Sequence, residues 1–104
     1  MDKLKDINEL KQLFEELLLI VDKYGDNSIN NQKKIIKRII DKIVGIDMSN
    51  SEKQFIEIQR DYKNLYPARG GLSEFYIWND DFNERQKLNE PLSKIRERLW
   101  EILK

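Results

Sequence analysis

The sequence predicts an all-α fold, an antiparallel four-helix bundle with a long aromatic connection ahead of its C-terminal helix. Three observations predict it. Apolar residues recur at intervals of three and four in four separate stretches. Glycine, proline or clusters of Asp, Asn and Ser stand between those stretches. Charged residues make up 37% of the chain but cancel, 19 basic against 19 acidic, which suits solvated helix faces around a core and does not suit disorder. A chain of 104 residues has room for one core, so a single domain is expected over 1–104.

The first helix is expected from about Lys3 to Tyr24. Leu4, Ile7, Leu10, Phe14, Leu17, Val21 and Tyr24 fall on one face, and Leu13, Leu18, Leu19 and Ile20 widen the stripe. Gly25 reads as a C-terminal cap in the left-handed conformation. Asp26, Asn27 and Ser28 then supply turn and cap chemistry for a second helix, Asn30 to Val44, with Ile35, Ile36, Ile39, Ile40, Ile43 and Val44 inward. Strand-like alternation is broken by Lys33-Lys34 and Lys37-Arg38, and Gly45 ends the helix. A capping box, either Ser49 with Glu52 or Ser51 with Gln54, starts a third helix reaching about Leu65, with Phe55, Ile58, Tyr62 and Leu65 inward. Pro67 and Gly70-Gly71 stop it.

In the last helical stretch Leu88, Leu92, Ile95, Leu99 and Ile102 follow a 4, 3, 4, 3 spacing suited to packing on neighbouring helices. Pro91 interrupts it. Either one helix starts near Asp80 and kinks, or a helix begins near Asn89 with proline in its first turn; two pieces meeting near Asn89 are expected.

Composition removes several kinds of chemistry. With no cysteine and no histidine, disulfides, thiol nucleophiles, Cys-based zinc sites and Ser/His/Asp arrangements are all out of reach. The charged start, Met1 to Asp6, is not a signal peptide, and no apolar run is long enough to span a membrane, so a cytoplasmic protein away from membranes is expected. A net charge of zero argues against a dedicated nucleic-acid binder.

The stretch from Tyr66 to Phe82 departs most from bundle logic. It holds five of the ten aromatics, Tyr66, Phe75, Tyr76, Trp78 and Phe82, in 17 residues and ends in acids. Tyr, Trp and Arg dominate interface hot spots, so Arg69, Tyr76, Trp78, Asp80, Asp81 and Glu84 are the candidate partner-binding residues. The competing reading folds Phe75, Ile77 and Phe82 back to plug the bundle, and alternation through Phe75-Tyr76-Ile77-Trp78 sends some of these side chains in and some out. Asp80, Asp81 and Glu84 could ligate a hard cation. They also suit a helix start, where Asn79 or Asp80 would cap, so no metal and no cofactor are expected. Arg69-Gly70-Gly71 lacks the context of a phosphate-binding loop.

Charge is laid out unevenly. Lys33, Lys34, Lys37, Arg38 and Lys42 crowd the second helix, and Glu74, Asp80, Asp81 and Glu84 crowd the aromatic stretch. The two could neutralise each other or steer partners of opposite sign.

The stretch Tyr66 to Leu103, through Gly70-Gly71-Leu72-Ser73-Glu74-Phe75-Tyr76-Ile77-Trp78, Asn89-Glu90-Pro91-Leu92 and Leu99-Trp100, resembles small bacterial proteins of unassigned function. In size and helical character the whole chain is similar to bacterial immunity proteins, which bind and neutralise a toxin. That resemblance implies a binding protein and carries over no site residue. The expectation is a small cytoplasmic protein-binding module, not an enzyme, that blocks a toxin or enzyme sterically, with a basic target suiting the acidic stretch. A nucleic-acid-binding regulator using the lysine-rich second helix, a carboxylate metalloenzyme, and a structural protein that self-associates through the Leu88–Ile102 seam are the alternatives. Either a monomer or a homodimer is compatible with the pattern.

Overall fold

A computed structural model of the chain describes residues 3–25, 27–47, 49–66 and 75–103. Their regular structure is four α-helices and one 3-10 turn: α1 (Lys3–Tyr24), the turn Asn27–Ile29, α2 (Asn30–Val44), α3 (Ser51–Asn64) and α4 (Phe82–Leu103). The fold is an all-α four-helix bundle. α1 packs on both α2 and α4, and α2 packs on α3. Asp22 meets Lys33 across α1 and α2, and Glu9 meets Arg98 across α1 and α4, so α1 runs antiparallel to both neighbours.

The core is one apolar cluster. Leu10, Phe14, Leu17 and Val21 of α1, Ile36 and Ile39 of α2, Ile58 and Leu65 around α3, and Leu92, Leu99 and Leu103 of α4 are shut away from solvent. The expected stripes hold with some members out of place. Leu19 and Tyr24 of α1 and Val44 of α2 are exposed, because each lies off the arc that its helix turns toward a neighbour.

The helix ends correct several expectations. Gly25 does not take the left-handed conformation. It is needed for space: a Cβ there would lie 2.5 Å from Ile29 Cγ2 and 2.5 Å from the Val21 carbonyl oxygen. Gly45 ends α2 with φ −84°, open to any residue. Neither capping box opens α3. Its N-cap is Asn50, whose side chain makes no capping hydrogen bond to the helix. The Asp47 carboxylate instead accepts from the Ser49 N–H at 2.8 Å and the Asn50 N–H at 3.1 Å, holding the turn ahead of the helix.

α4 is one helix and not two pieces meeting near Asn89. Pro91 lies inside it and is exposed. Proline removes only the hydrogen bond to the Lys87 carbonyl, and on that solvated side water can take the bond's place. One turn earlier the Asn89 side chain donates to the Arg85 carbonyl at 2.8 Å, tying the helix together on its inner face.

Candidate functional site, an exposed aromatic and acidic face

The site begins at the N-terminus of α4. Asp81, and neither Asn79 nor Asp80, is the cap: its carboxylate accepts from the Asn83 N–H at 2.9 Å and the Glu84 N–H at 3.2 Å. Asn79 supports the cap by accepting from the Asp81 N–H at 2.9 Å. Ahead of it, residues 75–79 form neither helix nor strand and lie along α4.

Side chains of α4 hold this segment by its main chain. Arg96 Nη2 donates to the Phe75 carbonyl at 2.6 Å. The Asn89 carboxamide grips Ile77 twice, accepting from its N–H at 2.9 Å and donating to its carbonyl at 2.8 Å. Arg85 Nη1 reaches the Asn79 carbonyl at 3.4 Å. Numbers rise along the segment as they fall along α4, so the two run antiparallel.

Burial alternates along the segment as expected. Ile77 is 3% exposed and points into the bundle, while Tyr76 and Trp78 are 55% and 69% exposed. Phe75 packs partly against the core. Phe82, expected to fold inward, is 58% exposed because it sits at the first position of α4, beyond the end of the core. Trp78 is exposed but not loose. Its indole N–H donates to Asp80 at 3.2 Å, and the Arg85 guanidinium lies 4.5 Å from its ring and 5.3 Å from that of Phe82.

The structure therefore gathers Tyr76, Trp78, Asp80, Asp81 and Glu84 within one short stretch, all exposed. Arg69 lies outside the described residues. Among the described residues no three acidic side chains come close enough to hold a metal ion, and the Asp81 carboxylate is engaged as a cap. The lysine-rich face of α2 does not neutralise this acidic stretch. Lys33 pairs with Asp22 at 3.4 Å, and Arg38 and Lys42 converge on the buried Asp61 at 3.3 and 2.7 Å.

Sequence reasoning missed the residues that do the holding. Arg85, Asn89 and Arg96 recur at spacings of four and seven, and this row of long polar donors on one helix face was the available signal. Arg96 is itself set beside Tyr62 of α3 and Tyr66 just past its end. Tyr62 and Tyr66 meet edge to face with ring centroids 5.5 Å apart. Burial pushes the Tyr62 hydroxyl up to about 12, and it lowers the Arg96 guanidinium from its usual range.

No helix among the described residues is long and apolar enough to cross a membrane. Comparison with family models, with curated proteins and with solved structures finds no match to this chain.

Proposed function

We propose that this chain is a cytoplasmic protein-binding module that covers the working surface of a toxin or enzyme, as an immunity or inhibitor protein does. The binding face is Tyr76, Trp78, Asp80, Asp81 and Glu84. The observation that supports this reading is the combination of grip and exposure. Four hydrogen bonds from α4 fix residues 75–79, and yet the side chains so fixed are aromatic and turned to solvent. A segment needed only to close the bundle would bury such rings, since each carries a large apolar area. Held in advance, Trp78 can dock with little loss of conformational freedom.

The mechanism is steric. The partner's surface is occluded by a preformed face, with Trp78 as the anchor and Asp80 and Glu84 as its acidic rim. Asp81 contributes by fixing the start of α4. The test is capture of a stoichiometric protein partner from the host's lysate with tagged chain, compared with Trp78→Ala. Losing a central anchor weakens binding by about 2–4 kcal/mol, so the partner should be lost while thermal unfolding is unchanged. Equal capture by both forms rejects this face. Recovery of nucleic acid alone would move the reading to the exposed Lys34 and Lys37 of α2.

A further inference from the structure

Residues 75–79 present main-chain groups on two sides. Toward α4, the Phe75 carbonyl, both main-chain groups of Ile77 and the Asn79 carbonyl are all engaged by side chains. One carboxamide can serve the N–H and the C=O of the same residue only where the two point the same way, as they do in a β conformation. In that conformation neighbouring residues direct their groups to the opposite side. Tyr76 and Trp78 therefore turn an N–H and a C=O each away from α4, and neither residue makes a main-chain hydrogen bond among the described residues. Among the described residues this leaves a short extended main-chain edge, at Tyr76 and Trp78, unpaired on its outer side.

Its surroundings carry a sign. Asp80 and Glu84 stand beside it with no basic partner among the described residues, and Arg85 shows that the Trp78 ring accepts a guanidinium. Of the α2 cations, Lys33, Arg38 and Lys42 are turned to Asp22 and Asp61.

We propose that the Tyr76–Trp78 edge takes up an extended, positively charged segment of the partner by main-chain pairing, its lysine or arginine side chains lying on Trp78 and beside Asp80 and Glu84. This rests on the aromatic and acidic face being the binding face, and it specifies how that face works. Main-chain bonds at Tyr76 and Trp78 give affinity, as in other cases where a peptide adds a strand to an exposed edge. The carboxylates select the sign of the segment and speed its approach.

The experiment uses the full chain labelled with nitrogen-15 and three short capped peptides. One alternates lysine and valine, one is the same peptide N-methylated at every residue, and one alternates glutamate and valine. The lysine peptide should shift the Tyr76 and Trp78 amide resonances and slow their hydrogen exchange by about tenfold or more. N-methylation, which removes the donors and keeps the charges, should weaken binding by about tenfold or more. The glutamate peptide should not bind. Tyr76→Pro removes the edge N–H without touching the Asn89 grip, and proline there favours an extended Phe75. It should weaken binding well beyond Tyr76→Ala.

Equal binding of the N-methylated peptide, unmoved amides at residues 76 and 78, or no binding of the lysine peptide overturns the proposal. If the N-methylated peptide binds equally and Trp78→Ala abolishes that binding, the edge is refuted and the face survives. If Trp78→Ala leaves partner capture intact, the face itself fails. Protection of the same amides that rises with protein concentration, without peptide, would give the edge to a second copy and refute the cationic partner.

Discussion

The bundle interior and the segment along α4 are held by opposite means. Inside, Phe14, Leu17, Ile36, Ile39 and Leu99 are fixed by apolar contact, and side-chain identity is everything. Along α4, residues 75–79 are fixed mainly by hydrogen bonds from Arg85, Asn89 and Arg96 to main-chain atoms, with Ile77 the one fully buried side chain. The interior sets overall stability. The segment is a local structure laid on a helix that is already stable, so it can open without unfolding the bundle.

Two substitutions test that difference. The largest effect is expected in the interior: Ile39→Ala, at a position with no exposed surface, should cost about 2–5 kcal/mol and lower the whole denaturation curve. Asn89→Ala should act on the segment first. It strands the buried N–H and carbonyl of Ile77 at a cost of about 1–3 kcal/mol. Amide exchange at Ile77 should accelerate before global unfolding is affected by the same amount. A uniform loss across the bundle would mean that segment and interior are one cooperative unit.

A further pair, ending on the smallest effect, separates two glycines that look alike in the sequence. Gly25→Ala forces a methyl onto Ile29 and the Val21 carbonyl, and should destabilise by about 1–3 kcal/mol. Gly45→Ala meets nothing closer than 3.6 Å and should be neutral or stabilise by about 0.4–1 kcal/mol. Chemical denaturation of the two variants side by side distinguishes a glycine needed for space from one that is merely permitted.

Much of the fold was legible because it rests on periodicity. The bounds expected for the first two helices, 3–24 and 30–44, are those of α1 and α2. An apolar stripe is written into neighbouring residues and needs no knowledge of what it packs against. The helix ends were less legible. Asn79, Asp80 and Asp81 are all good caps by residue type, and only the bonds that the Asp81 carboxylate accepts from the Asn83 and Glu84 N–H groups show which of them opens the helix. Pro91 misled for a related reason. Its cost depends on which side of the helix loses a hydrogen bond, and that follows from the packing of α4 on α1. At the site, exposure of Tyr76 and Trp78 followed from alternation with Ile77. The clamp did not, since Asn89 inside an apolar seam reads locally as a place for a helix to stop.

The grip on main-chain atoms has a consequence for how this face can diversify. Asn89 and Arg96 grip main-chain atoms of residues 75 and 77 and are indifferent to what residue 76 carries, whereas Arg85, besides holding the Asn79 carbonyl, lies on the Trp78 ring. Exchanging Tyr76 for another side chain leaves the display geometry standing, much as a loop on a rigid frame tolerates new residues, while Trp78 is tied in by Arg85 and Asp80. Position 76 can be rewritten to suit a changed target while the architecture that presents it stays as it is.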